Sequence, residues 1–250
     1  MDKPIIEVEN VSKIFEIPHE SRNTLKSYFL HPFRRVGKER FYALKSVDFK
    51  INKGDFVGVI GRNGSGKSTL LKILAGIFEP TKGKVHVNGT LVPFLELGVG
   101  FNAELTGREN IYLNGIILGM TRKYVESKFN EIVDFAEIRE FIDLQVKNYS
   151  SGMVIRLAFA IAVEARADVY LLDEVLSVGD AGFQKKSLEK MLGLLTNGAT
   201  GILVSHSIGD VKKYCNRVIL LKKGEVVYDG PTAEGIKIFE SQMGLTSADS

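Results

Sequence analysis

Short apolar runs alternate with turns and with helical patterns along most of the chain. Residues 55–60, 169–172 and 201–204 are the clearest of these runs, and each is rich in Val, Ile, Leu or Tyr. Continuous apolar runs of this length are typical of parallel strands that are buried on both faces of a sheet. Because helical patterns separate the runs, we predict an α/β fold with a mainly parallel sheet.

Further strand patterns lie towards the two ends of the chain. In the N-terminal part, strands are expected at residues 5–8, 11–15, 47–51 and 84–87. Near the C-terminus, residues 218–228 predict a hairpin with its turn at 222–224, and residues 233–243 predict a helix. We therefore expect an N-terminal antiparallel β region next to the parallel sheet.

Residues 103–166 have a helical pattern throughout. Thr106 and Glu109 have the spacing of a capping box at the start of a helix. Helices are expected at residues 111–118, at residues 125–136 and from Ser150 onwards. This stretch predicts a helical subdomain that is inserted into a core formed by residues 1–102 and 167–250.

Residues 17–41 form a basic insertion with a different composition. Between Glu20 and Arg40 there are six Lys or Arg residues against two Glu, interleaved with aromatic side chains. A short amphipathic helix is predicted at residues 24–30, ending near Pro32. Such a segment fits an anionic membrane surface or a membrane partner, but it also fits a loop with a solvated face. The pattern leaves both interpretations open.

Composition narrows the class of protein. The 250 residues are 44% hydrophobic and 25% charged, which is ordinary for a globular protein. No apolar run approaches the ~18 residues of a membrane span, and the N-terminus does not resemble a signal peptide. A single cysteine, Cys215, excludes an internal disulfide and fits a reducing cytosol. The net charge of +3 is too small to indicate a nucleic-acid partner.

One stretch between the first apolar run and a helical pattern fits a phosphate-binding loop. It reads Gly61, Arg62, Asn63, Gly64, Ser65, Gly66, Lys67, Ser68 and Thr69. The pattern needs a strand before it and a helix after it, and both are predicted here. Gly64 and Gly66 let backbone N–H groups turn towards a phosphate, and the helix N-terminus adds a positive dipole. Lys67 is predicted to reach the β- and γ-phosphates, and the Ser68 hydroxyl to hold Mg²⁺.

Polar residues follow two of the predicted parallel strands. Asp173 and Glu174 come directly after the run at 169–172, and His206 follows the run at 201–204. Ligands of α/β folds bind at this edge of the sheet. We expect Asp173 to hold Mg²⁺ and Glu174 to accept a proton from the attacking water. His206 is predicted to form a hydrogen bond with the γ-phosphate or the attacking water, or to have only a structural role.

These motifs, in this order and with the helical insertion between them, resemble the ATPase subunit of an ABC transporter. The resemblance covers nearly the whole chain as one domain. It implies ATP and Mg²⁺ as ligands, and a homodimer that encloses two ATP molecules. It also implies that the signature residues Ser150, Ser151 and Gly152 of one copy contact the ATP bound to the phosphate loop of the other.

Three departures from the general family pattern point to one branch. The signature reads Tyr149 to Met153, residues 175–180 replace the usual D-loop, and no Gln is found where a glutamine loop is expected. Glu96 is the expected substitute there, as a contact to Mg²⁺ or water. These features resemble the branch that exports lipid-linked polysaccharides such as O-antigen. The resemblance implies a membrane-spanning permease as partner, a glycan as indirect partner, and a peripheral position on the cytoplasmic side of the inner membrane.

Other aspects of the resemblance leave alternatives. An aromatic residue after the first strand stacks on adenine in the family. Phe15 is the positional match, and Phe41 or Tyr42 could compete with it. Some members of the branch carry a C-terminal carbohydrate-binding domain. This chain ends soon after Met243, so it either lacks that domain or is a shortened form.

Proteins of other classes share some of these motifs. A soluble ABC-type ATPase of DNA repair or translation usually has two fused halves or a long coiled-coil insert, and neither is present in the sequence. A P-loop kinase or GTPase fits poorly with the signature stretch and with His206. Glu174 argues against an ATP switch without catalysis.

Overall fold

The computed structural model describes residues 3–18, 38–95, 97–173, 179–196, 198–205 and 207–243. The strands within them are β1 (Ile6–Pro18), β2 (Lys38–Ile51), β3 (Phe56–Ile60), β4 (Lys82–Val87), β5 (Leu91–Pro93), β6 (Val169–Asp173), β7 (Thr200–Val204), β8 (Arg217–Lys222) and β9 (Glu225–Pro231). The α-helices are α1 (Lys67–Leu74), α2 (Gly107–Ile117), α3 (Arg122–Ala136), α4 (Ser151–Glu164), α5 (Ala181–Thr196), α6 (Ile208–Tyr214) and α7 (Thr232–Met243). Two short 3₁₀ turns, Arg139–Phe141 and Val146–Asn148, lie between α3 and α4.

The strands form two sheets. One has three antiparallel strands in the order β2-β1-β4, and the other has six strands in the order β5-β6-β7-β3-β8-β9. In the larger sheet only β9 is antiparallel to its neighbour. The predicted combination of a mainly parallel sheet with an N-terminal antiparallel region is thus confirmed.

Burial explains why the parallel strands read as continuous apolar runs. Four of the five residues of β3 and of β6 are buried, and so are all five of β7. The residues on one face pack with β1, β2 and α1, in a core that includes Ile6, Leu44 and Leu70. Those on the other face pack towards the helices, around Phe94 and Phe159. A helix or a second sheet covers each face, so polar residues are excluded from the strands.

Local capping defines the helices between residues 103 and 166. Thr106 and Glu109 form the predicted capping box at the start of α2. Thr121 caps α3 through the N–H of Tyr124, and Ser150 caps α4. These side-chain oxygens accept hydrogen bonds from N–H groups that would otherwise lack a partner in the first turn. The three helices therefore begin where the sequence places their caps.

The long pair β1 and β2 reaches into both ends of the predicted basic insertion. Ile17 pairs with Glu39 and Phe15 pairs with Phe41 in an antiparallel register. The predicted helix at residues 24–30 lies outside the described residues. In the part of the chain that is described, no helix is both long and apolar enough to cross a membrane.

Candidate nucleotide site

The phosphate loop occupies the turn between β3 and α1. Gly66 stands at the N-cap of α1 with φ of 109°, and Gly64 has φ of 76°. Both values lie in the left-handed region that favours glycine. A Cβ on Gly66 would also lie 2.6 Å from the carbonyl oxygen of Ala43 in β2. Conformation and space therefore both require glycine at position 66.

Lys67 is held inside the loop. Its side chain is buried, and its Nζ donates to the carbonyl oxygens of Gly61, at 2.8 Å, and Arg62, at 3.2 Å. The loop backbone thus fixes a cation at the start of a helix, whose N-terminus adds a positive potential. This is the combination that stabilises a bound phosphate group.

A cavity of about 340 Å³ opens at the loop. The described residues that line it are Phe41, Ala43, Asn63, Gly64, Gly66, Lys67, Ser68, Thr69, Asp173 and Val204. Asp173 and Val204 are there because β6 and β7 are neighbours and these two residues pair at the carboxyl ends of their strands. The structure thus brings the phosphate loop and Asp173 together, as the sequence predicted.

The oxygen donors in this cavity suit a magnesium ion. The Ser68 hydroxyl and the Asp173 carboxylate are hard ligands, and both groups line the same cavity. Within the described residues there is no cluster of three or more His, Cys, Asp or Glu that could hold a metal. Mg²⁺ usually binds through one or two protein oxygens together with substrate phosphates and water.

Three aromatic residues, Phe15, Phe41 and Tyr42, are candidates for the adenine contact, and of these Phe41 alone lines the cavity. Phe41 lines the cavity and its surface is 49% exposed. Phe15, its partner in the β1–β2 register, does not line this cavity. Instead it packs edge-on against Phe78, with 5.8 Å between the ring centroids, and the Nζ of Lys13 lies 5.3 Å from its ring.

The signature residues lie at the start of α4. Ser150 is exposed, and its hydroxyl accepts a hydrogen bond of 3.2 Å from the N–H of Met153. Ser151 and Gly152 form the first turn, so their N–H groups lie at the positive end of a 14-residue helix. None of these three residues lines the phosphate-loop cavity of the same chain.

Three predicted site residues, Glu96, Glu174 and His206, lie outside the described residues. The residues that precede two of them are described: Asp173, before Glu174, lines the cavity, and Ser205, before His206, follows Val204 at the same sheet edge.

The sequence did not predict that the C-terminal hairpin supports the phosphate loop. The N–H of Gly224 donates to the carbonyl oxygen of Ser65, at 2.9 Å, and its own carbonyl oxygen accepts from Lys45, at 2.8 Å. The hairpin turn was recognisable from Lys222 to Gly224, but a local pattern gives no information about which distant backbone it touches.

Cys215 adds no second chemistry to the chain. It is buried beneath Gly58 of β3, and burial raises the pKa of its thiol to about 12. At neutral pH the thiol therefore stays protonated, which makes it a poor nucleophile.

Comparison with known proteins shows which family this chain belongs to. Residues 44–177 match the model of the ABC transporter family. The chain belongs to this family. ABC cassettes bind nucleotide and hydrolyse ATP, so the chain is an ATPase.

Three relatives of this ABC chain illustrate the similarity. The O-antigen export system ATP-binding protein RfbB of Klebsiella pneumoniae is 39% identical over 243 residues, which cover 96% of this chain and 99% of the relative. The RfbB protein of Myxococcus xanthus is 46% identical over 231 residues, but the match covers 91% of this chain and only 53% of that relative. The solved dimer of the ATP-binding cassette MJ0796 with ADP and Pi is 25% identical, with a TM-score of 0.69. That match covers 91% of this chain and 98% of MJ0796.

Proposed function

We propose that this chain is the ATP-hydrolysing subunit of an exporter for a lipid-linked cell-surface polysaccharide of the O-antigen kind. It works on the cytoplasmic side of the inner membrane, together with a membrane-spanning permease. The observation that carries the proposal is the shared cavity of the phosphate loop and Asp173 in a chain that matches an O-antigen export protein over 99% of that protein's length.

The proposal assigns roles to several residues that line the cavity and to three residues outside the described part of the chain. Lys67 and the loop N–H groups bind the phosphates, and Ser68 and Asp173 hold Mg²⁺. Bound Mg²⁺ neutralises charge on the phosphates. Glu174 accepts the proton of the attacking water, and His206 contacts the γ-phosphate. Glu96 takes the place of the usual glutamine as a contact to the ion or to water.

The site is completed by a second copy of the chain. Ser150, Ser151 and Gly152 do not line their own cavity, yet they present a hydroxyl and N–H groups at a helix N-terminus. Such an end suits a γ-phosphate. The cassette MJ0796, which is similar in fold over most of its length, is dimeric with ADP and Pi. We therefore place the signature of each protomer against the nucleotide of its partner.

For the adenine ring, the position of Phe41 on the cavity wall supports it as the stacking residue. The alternative is Phe15, the positional match in the sequence. Phe15 is already engaged with Phe78 and Lys13.

An apolar surface patch beside α4 suits the permease. It consists of Val99, Ile116 and Ile117, whose surfaces are 72%, 54% and 62% exposed. Residues 97–101 bring Val99 close to α2, since a Cβ on Gly100 would lie 3.7 Å from Cδ1 of Ile117. The same segment also lies close to α4, since a Cβ on Gly98 would lie 3.1 Å from Cγ1 of Val154. A partner bound to this patch therefore touches a loop that packs on the helix of the signature.

Two measurements test the function. Purified chain with Mg²⁺ and ATP is expected to release phosphate, and Lys67→Ala is expected to abolish this. Lys84→Ala, an exposed lysine of β4, serves as control. In cells that lack the chain, lipid-linked polysaccharide is expected to accumulate inside and to disappear from the surface. Restoration of export by the Lys67→Ala chain would contradict the proposal, and so would normal surface polysaccharide in its absence.

A further inference from the structure

Arg156 of α4 joins two other helices through its guanidinium group. Its Nη1 lies 2.9 Å from Oε2 of Glu137, the residue that ends α3 in a left-handed conformation. Its Nη2 pairs with Oδ2 of Asp180, directly before α5. The other carboxylate oxygen, Oδ1, accepts a hydrogen bond of 3.0 Å from the N–H of Phe183 in the first turn of α5. One side chain thus fixes α4 relative to the end of α3 and the start of α5.

The surroundings of the guanidinium restrict its movement. Its Cζ lies 5.1 Å from the centre of the buried Phe183 ring, and the side chain of Arg156 is only 21% exposed. Glu137 is held from a second side, because Nζ of Lys186 lies 3.1 Å from its Oε1 and also donates to the carbonyl oxygen of Phe135, at 3.0 Å. A planar guanidinium can bind two carboxylates at fixed angles, which a lysine cannot do.

The two ends of this link lie next to parts of the proposed site. Arg156 follows Ser150 by less than two turns of the same helix. Asp180 ends the stretch of chain that begins after Asp173 and includes Glu174. In the proposed dimer, Ser150 serves the partner's nucleotide and Glu174 serves the nucleotide of its own chain. Arg156 therefore joins the signature helix to Asp180, which follows the Glu174 segment in the sequence.

We infer that Arg156 is a positioning residue for ATP hydrolysis, which holds the signature helix in register with the segment that carries Glu174. This inference rests on the proposed function. It adds that the two nucleotide sites of a dimer are mechanically connected through Arg156, Asp180 and Glu137.

The test compares Arg156→Gln with Arg139→Gln. Arg139 forms an exposed ion pair with Asp134, at 2.5 Å, on the same subdomain but without a link to α5. We expect Arg156→Gln to lower kcat for ATP about 10- to 100-fold, which is the effect of a small misplacement of reacting groups. The Kd of a fluorescent ATP analogue for the isolated subunit should stay as in Arg139→Gln, and kcat is measured at a temperature well below the Tm of both variants.

A double-mutant cycle separates positioning from general structure. If Arg156 acts through Asp180, the double variant Arg156→Gln with Asp180→Asn is expected to have the same kcat as whichever single variant is less active. Arg156→Lys, which keeps the cation but not the two-sided bond, should give an intermediate kcat. A kcat equal to that of Arg139→Gln overturns the inference. The inference is also overturned if the kcat losses of the two single variants simply multiply in the double variant. It is overturned as well if unfolding of the variant or weaker ATP binding accounts for the loss of kcat.

A further variant distinguishes failure of this inference from failure of the proposed site. If Ser150→Arg abolishes turnover while Arg156→Gln does not lower it, only the positioning role is wrong. Full turnover in Ser150→Arg overturns the trans site, and the positioning role falls with it.

Discussion

The hydroxyl of Tyr149 occupies the space that a side chain on Gly107 would need. A Cβ at position 107 would lie 2.1 Å from Oη of Tyr149, which donates a hydrogen bond of 2.8 Å to the carbonyl oxygen of Phe141. Burial raises the pKa of Tyr149, so the phenol stays protonated and keeps this bond. Tyr149, the residue before Ser150, is therefore matched to a glycine at the start of α2.

Gly107→Ala is expected to displace Tyr149 and to lower the free energy of unfolding by about 1–3 kcal/mol, as overpacking does. Because Tyr149 precedes Ser150, ATP turnover should fall as well. Urea unfolding and phosphate release measure the two effects. Gly193→Ala in α5 is the matched control, since no atom lies within 4 Å of its added Cβ. Equal stability of the two variants would show that Tyr149 moves aside freely.

Glu174→Gln is expected to reduce ATP turnover by about 10²- to 10⁴-fold, because the amide cannot accept the proton of the attacking water. Binding of ATP should persist, since Lys67 and Asp173 are unchanged. Gel filtration of this variant with ATP and Mg²⁺ should therefore show a dimer, and without nucleotide a monomer. Unchanged turnover would remove Glu174 from its assigned role. A monomer under both conditions would count against the enclosed nucleotide.

Phe41→Ala is expected to weaken binding of ATP, because base stacking on an aromatic ring contributes about 1–3 kcal/mol. Phe15→Ala should leave the Kd within about twofold of the wild type if Phe41 is the stacking residue. The two variants are compared by titration with a fluorescent ATP analogue. The opposite order of affinities would assign adenine stacking to Phe15, as the position in the sequence first suggested.

Val99→Asp combined with Ile117→Asp is expected to leave the ATPase activity of the free subunit intact and to abolish co-purification with the permease. The patch is exposed, so two carboxylates there should cost little stability, but they would have to lose water in an apolar contact. Val227→Asp, at another exposed apolar position, serves as control. Normal co-purification of the double variant would show that the permease binds elsewhere.

Low pH is expected to weaken the contacts of the Asp180 carboxylate at the start of α5. The N–H of Phe183, followed by the charge of Arg156, holds the pKa of Asp180 below its ordinary value. Because the pKa of Asp180 is lower in the folded than in the unfolded state, ionised Asp180 stabilises the fold at pH values above its unfolded pKa of about 3.9. This stabilisation is lost as the pH falls through the pKa of the folded state. The Tm of Asp180→Asn should therefore decline less than that of the wild type below about pH 4. Glu126→Gln, on an exposed part of α3, is the control.

The parts of this fold that were predictable are those with a local cause. The run at residues 169–172 became β6 because a strand buried on both faces excludes polar residues, and Thr106 with Glu109 placed the start of α2. The strand β5 and the helices α5 and α6 were not predicted from the sequence. The strand β5 has three residues and ends in Pro93. In α5 the buried face includes Phe183, Ser187 and Met191, so a polar residue interrupts the apolar spacing.

The parts of the site that were not predictable depend on contacts between distant segments. Phe41 reaches the cavity only through the register of β1 and β2, which no short pattern encodes. The partners of Arg156 lie at positions 137 and 180, on other helices. A charged residue in an amphipathic helix is read as solvated unless its neighbours in space are known.

The carbonyl group of Ala43 is a reason for glycine at position 66 of the phosphate loop that does not involve nucleotide. A Cβ on Gly66 would lie 2.6 Å from the Ala43 carbonyl oxygen, and a Cβ on Gly224, in the supporting hairpin, would lie 2.8 Å from the same atom. The antiparallel sheet thus imposes glycine on both turns. Glycine at position 66 is therefore weaker evidence of nucleotide binding in this chain than Lys67 and Asp173 at the cavity.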